Sequence, residues 1–291
     1  MNNLHGAILM ILSMGGFALE DMFIKQTAAL LPVGQIMLFI GIGGFVIFSV
    51  AAFSQRQSIF SRELLNGALI LRNLFEIVGT FGFVTALALV PIATATAILQ
   101  SMPLIVTLGA ALCLGETVGW RRWLAIAAGF AGMLLIVRPG AETFDPAMLY
   151  AVLGAFGLAA RDLATPKIPP TVSALQVSAW GFFTYVLMGG AMLLISGGAK
   201  PMGMPELRGL AAALTIGVVS YFMLTISVRI ADLSAVAPFR YSRLLFALAV
   251  GVVVFHERPD LMTLSGAALI IASGLYTLAR ERALFTRALQ G

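Results

Sequence analysis

The chain is a succession of long apolar runs separated by short polar or proline-bearing turns. A helix that crosses the bilayer core needs about 20 mostly apolar residues. Ten stretches are read as such spans: Leu4–Ile24, Val33–Phe53, Leu64–Leu89, Ile92–Leu114, Trp123–Val137, Ala147–Ala164, Val172–Ile195, Leu207–Ile230, Ser234–Phe255 and Leu261–Ala279. Leu31-Pro32 separates the first two, Val90-Pro91 makes a very short turn into the fourth, and Arg138-Pro139-Gly140 closes the fifth. Connections of a few residues leave no room for a soluble domain between helices. The pattern predicts an all-α integral membrane protein with ten transmembrane helices.

Composition sharpens this reading. Of 291 residues, 60% are hydrophobic and 11% charged, with a mean hydropathy of +0.99. Soluble domains carry about 25% charged residues, and one soluble core cannot hide this much apolar surface. The first run has no basic segment and no small-residue cleavage site, and Glu20-Asp21 follow it directly. It is read as a span and not as a cleaved signal peptide. The single cysteine, Cys113, excludes an internal disulfide and is read as a packing residue.

The pI near 9.8 does not point to nucleic acid, because the basic residues sit at helix ends. Arg56, Arg62, Arg121, Arg122, Arg161, Lys167, Arg229, Arg280, Arg282 and Arg287 fall on the side shared by both termini. Lys25, Arg138, Lys200, Arg208 and Arg258 fall on the other. This bias predicts a multi-pass protein of the bacterial inner membrane with both termini in the cytoplasm.

A shift of 141 residues superimposes the chain on itself. Asp21 meets Asp162, Gln35 meets Gln176 and Glu116 meets Glu257. The predicted halves are residues 1–140 and 141–291, five helices each. Five is odd, so the second copy enters the membrane upside down. Transporters use such inverted repeats to build two access states around a site at the midplane.

Glu116 ends the fourth helix after Gly115, with Pro103 inside it, and Glu257 ends the ninth after His256, with Leu244 opposite Pro103. With these residues and its two five-helix halves, the chain resembles the drug/metabolite transporter superfamily in its EamA branch. The resemblance implies a secondary active or facilitative transporter of small organic solutes working by alternating access. It implies a cavity lined mainly by helices one, three, four, six, eight and nine. Members of the superfamily export amino acids and drugs, or take up metabolites such as riboflavin and S-adenosylmethionine.

Ionisable residues inside spans are expensive and therefore functional candidates. Arg72 and Glu76 stand at i,i+4 and are expected to pair, as a structural couple or a substrate clamp. Arg240 and Arg243 share a helix face with Tyr241 between them and no acid within a turn. They are expected to hold an anionic or electron-rich substrate, or to join a buried network with Glu76, Glu20 or Asp21. Glu20 and Asp21 read as a solvated helix end or as a proton-coupling or cation-binding pair. Arg161-Asp162 is their repeat image.

Gln100, Trp180 and Tyr221, with Phe17 and Tyr185, complete the expected pocket, although Trp180 also suits helix packing. Pro103 and Pro238 are expected to interrupt helices four and nine as hinges. Glu116 and Glu257 read as helix-end markers at opposite faces.

No Walker loop, metal cluster or nucleophile–base arrangement appears, so no catalysis, cofactor or metal is expected. The expected partners are a small-molecule substrate and the bilayer, with the protein a monomer or homodimer. A flavin of riboflavin type and an amino-acid-like solute both remain open as substrates. The alternatives are a multidrug or organic-cation exporter and, from another class, a membrane-embedded enzyme on lipid-linked substrates. The latter would want acids or histidines at one interface, and only His5 and His256 exist.

Overall fold

The computed structural model describes residues 3–113, 119–142, 144–231 and 236–288. Ten helices in it are long and apolar enough to span a membrane. They are α1 (Leu4–Ala28), α2 (Val33–Ser54), α3 (Gly67–Leu89), α4 (Ile92–Leu112) and α5 (Trp120–Val137), then α6 (Met148–Lys167), α7 (Ala174–Ile195), α8 (Met204–Leu224), α9 (Ala237–Val254) and α10 (Leu261–Arg280). Every expected span is present, with shifted ends. The third starts late because Arg62–Leu65 forms a 3₁₀ turn and Asn66 caps the helix, accepting the Ala68 N–H at 2.8 Å. The fifth starts early, so that Arg121 and Arg122 lie in its first turn. Gly115, Glu116 and Ser234 lie outside the described residues.

Prolines set the finer shape. Pro32 and Pro91 stand directly before α2 and α4, where a missing N–H costs nothing. Pro103 cannot donate to Leu99, and its ring would strike that carbonyl. α4 accordingly consists of two pieces, Ile92–Leu99 and Met102–Cys113, broken at Gln100-Ser101. Pro238 lies in a 3₁₀ turn, Ala237–Tyr241, after which Ser242–Val254 continues as α-helix; residues 232–235 before it lie outside the described residues.

The packing repeats the symmetry of the sequence. α1 lies along α8 and α3 along α6; α2 pairs with α7, α5 with α10, and α4 meets α9 at the centre. Exchanging the halves turns the first pair into the second and maps each of the others onto itself. Two matched glutamines show the inversion directly. Gln35, at the start of α2, bonds both backbone groups of Lys200 in the α7–α8 turn, at 2.8 and 2.9 Å. Gln176, at the start of α7, donates to the Ser58 carbonyl in the α2–α3 turn at 2.6 Å. The same latch closes opposite ends of the molecule. We call the face where α1 begins and α10 ends proximal, and the other distal.

Close helix approach rests on glycine where α3 crosses α6. A Cβ on Gly157 would lie 2.5 Å from the Gly79 nitrogen, and backbone cannot yield there. Gly157→Ala is expected to cost about 1–3 kcal/mol of stability, read as a lower melting temperature in detergent. Gly190→Ala, where a Cβ meets nothing within 4 Å, is the control and should leave melting unchanged.

At the distal face Asp260 caps α10, accepting the Thr263 N–H at 2.8 Å, and pairs with Arg138. The Arg138 guanidinium, with Thr263, holds the Asp260 carboxyl at about 2, below its ordinary 3.8. A depressed carboxylate stabilises above its unfolded value and loses that contribution as pH falls through the folded one. Asp260→Ala should cost about 1 kcal/mol at neutral pH. The gap to the unsubstituted protein should close between pH 4 and 2 in melting experiments.

Candidate functional site

A cavity of about 1100 Å³ lies between the halves. Its lining ends distally at Ile24, Ile40, Val84 and Leu99, and reaches Ala110, Arg122, Lys167 and Leu278 near the proximal helix ends. The cavity therefore opens to the proximal face. α7 contributes as well as the expected helices, through Ser178, Phe182 and Tyr185.

Two charge clusters structure the wall. In the first, Arg243 of α9 donates to Asp21 of α1 at 2.7 Å through Nη2 and 3.2 Å through Nε. The guanidinium also lies over the rings of Phe17 and Phe83, 5.3 and 5.4 Å from their centroids. Asp21 is only 3% exposed, which overturns its reading as part of a solvated helix end. Of the two arrangements expected for Arg243, the structure shows the buried network, with Asp21 as its acid.

The second cluster centres on Glu76, whose side chain is 3% exposed. Arg72 pairs with it at 2.7 Å, as the i,i+4 spacing predicts. Arg161 of α6 approaches Glu76 at 3.1 Å and also holds Asp162 at 2.8 Å. The Tyr185 hydroxyl donates to Glu76 at 3.1 Å. Arg161 was counted among the helix-end cations by sequence; it lines the cavity instead, as does Arg122, which is buried.

Three further ionisable groups, Glu20, Arg240 and Lys167, line the cavity without a side-chain hydrogen bond or ion pair to another described residue, Lys167 being exposed near the proximal helix ends. Arg240 offers only its backbone, whose carbonyl accepts Gln100 Nε2 at 3.3 Å. It lies in the 3₁₀ turn Ala237–Tyr241. Tyr221 lines the wall, its hydroxyl accepting from Ser178 at 2.7 Å. Tyr241 is also in the lining, largely buried, with its hydroxyl pressed on Gly274. Trp180 is outside the lining. Its Nε1 donates to the Ile59 carbonyl at 3.0 Å, so it tethers the α2–α3 turn.

The distal end is sealed. Glu257 accepts the Ile92 N–H at 2.8 Å and the Ala93 N–H at 3.4 Å, capping the positive end of α4. Lys25 lies 3.9 Å from Glu257 and donates to the carbonyls of Leu87 and Val90 at 3.0 and 2.5 Å. Glu257 stands just past the end of α9, as expected of a helix-end marker, while Lys25, counted among the end cations, is drawn in. Glu257 binds another helix, and Lys25 is a closing group.

A family model described as "EamA-like transporter family" matches the chain twice, over residues 4–138 and 145–279. The second match starts and ends 141 residues after the first. The chain belongs to the EamA-like transporter family. The S-adenosylmethionine uptake transporter of Rickettsia bellii is 32% identical over 216 residues, covering 73% of this chain and 72% of that protein. The riboflavin transporter of Rhizobium johnstonii is 33% identical over 210 residues, covering 72% and 69%. The pseudopaline exporter of Pseudomonas aeruginosa is 26% identical but covers 92% of this EamA-like chain and 94% of its own. A solved crystal structure, 18% identical with a TM-score of 0.58, covers 97% of this chain and 99% of that one, and shares its fold. The chain is thus a multi-pass membrane transporter of a small metabolite.

Proposed function

We propose that this transporter carries a ring-bearing metabolite, of nucleoside or flavin type, through the cavity by alternating access. The observation that carries the reading is the cavity itself, open at one face and sealed at the other by Lys25 and Glu257. Its size slightly exceeds the range of about 300–1,000 Å³ typical of small-molecule sites. Phe17, Phe83, Phe182, Tyr185 and Tyr221 offer ring faces along the wall, and Gln100 and Arg240 offer polar groups. Relatives named for S-adenosylmethionine and riboflavin support a heteroaromatic cargo.

The site residues divide accordingly. Arg240, Gln100 and Tyr221 contact substrate, while Arg72, Glu76, Asp21 and Arg243 hold the wall. The break before Pro103 lets α4 bend at substrate level. With Arg122, Arg161 and Lys25 removed from the helix-end charges, eight basic residues face four. That excess supports a bacterial inner-membrane protein with both termini, and hence the open face, in the cytoplasm.

The test is a melting screen of the purified protein against flavins, nucleosides and amino acids. A ligand at 100 times its Kd should stabilise by about 2.7 kcal/mol, and the hit should exchange across proteoliposome membranes. A protein stabilised by none of these classes refutes the reading. A C-terminal reporter found outside the cytoplasm refutes the orientation.

A further inference from the structure

The 141-residue shift relates contacts as well as residues, and one related contact is broken. Shifting Glu20 forward lands on Arg161, and shifting Gly217 back lands on Glu76. Between α6 and α3 the pair is made, with Arg161 and Glu76 at 3.1 Å. Between α1 and α8 the corresponding residues are Glu20 and Gly217. A Cβ on Gly217 would collide with Glu20 Oε1, so the carboxylate rests against bare backbone. The second half carries no partner at this position, and the carboxyl group of the first half faces the cavity.

We propose that Glu20 is the subsite for a cationic group on the substrate, a sulfonium or ammonium centre, with Gly217 clearing its seat. Arg240 takes a carboxylate of the same molecule, so the cargo is a zwitterion. This rests on the transport reading above and narrows it. Asp21 beside Glu20 is already neutralised by Arg243, which leaves Glu20 as the carboxylate available to a ligand. Phe17, one turn away on the same helix, lines the cavity and carries the Arg243 guanidinium over its ring.

Arg240 stands one turn proximal to Arg243, and Arg243 reaches the residue next to Glu20. The side chains of Glu20 and Arg240 are therefore separated by on the order of 10 Å. A cation and a carboxylate a few bonds apart, with about 3–4 Å at each ion pair, bridge that gap. An uncharged ring system would leave both groups without a partner on the substrate.

Three ligands test this on purified protein in proteoliposomes: S-adenosylmethionine, its uncharged-sulfur thioether counterpart lacking the sulfonium methyl, and riboflavin. The unsubstituted protein should prefer the sulfonium zwitterion. Glu20→Gln should weaken its binding by about 10–100-fold and weaken the thioether by less than about twofold, collapsing the preference. Gly217→Ala, which displaces the carboxylate, should act in the same direction. Arg240→Gln should weaken both amino-acid-bearing ligands alike. An unchanged sulfonium-to-thioether ratio in folded Glu20→Gln overturns the proposal. Transport of riboflavin but not of the zwitterion overturns it while leaving the transport reading intact. Failure to move any solute of the screen overturns both.

Discussion

Glu76→Ala is expected to lower stability by about 3–5 kcal/mol. Glu76 is the common acceptor of Arg72, Arg161 and Tyr185 in a wall shielded from water. Removing it leaves two guanidiniums facing each other with only Asp162 and Asn73 as acceptors. Glu76→Gln retains an acceptor for Tyr185 and loses the charge, so it should fall between the two. Replacing Arg72, Glu76 and Arg161 together by methionine should recover most of the loss, because the penalty comes from unpaired buried charge and not from the absence of the pair. Thermal unfolding in detergent, followed by tryptophan fluorescence, reads all three. A Glu76→Ala protein melting with the unsubstituted one would show that the cluster carries no structural load.

Glu257→Ala is expected to shift the population toward molecules open at the distal face. Glu257 caps α4 from α9, and Lys25 of α1 lies against it while holding the carbonyls that end α3. Four helices thus meet through one carboxylate and one ammonium. A helix cap contributes about 1 kcal/mol and a charged hydrogen bond about 1.5–3 kcal/mol. Their removal should change the closed-to-open ratio by about 10–100-fold. Attack by a membrane-impermeant thiol reagent from the distal side on a cysteine placed at Ile24, in a Cys113→Ser background, measures this. Lys25→Met should raise labelling in the same sense. Labelling that stays at the unsubstituted level in both variants would mean that apolar packing, not this pair, keeps the end shut.

The ten spans and the duplication were legible because each is a local or periodic property. Hydropathy over 20 residues marks a span, and a constant offset marks a repeat. Arg72–Glu76 was legible for the same reason, being one helical turn. The long-range partners were not. Asp21 and Arg243 are 222 residues apart, and Glu76 and Arg161 are 85 apart; no spacing rule joins them. Arg161 and Arg122 were counted as helix-end cations because a cation near a helix end has the same sequence signature whether it faces water or a cavity. Trp180 fails similarly, since a ring in a span carries no mark of which neighbour its N–H will find. The loss of a partner for Glu20 did leave a trace. Applying the 141-residue offset to charged residues, and not only to identical ones, sets Glu20 against Arg161 and Gly217 against Glu76.

The sealed distal end gives the two faces unequal half-saturation concentrations. A solute arriving from the distal side meets only the fraction of molecules open to it, and its apparent dissociation constant is the intrinsic one divided by that fraction. If closure through Lys25 and Glu257 favours the proximally open form by about 2 kcal/mol, that factor is about thirtyfold. Exchange measured from opposite sides of the membrane should then saturate at concentrations differing by that ratio, even with the same residues touching the solute.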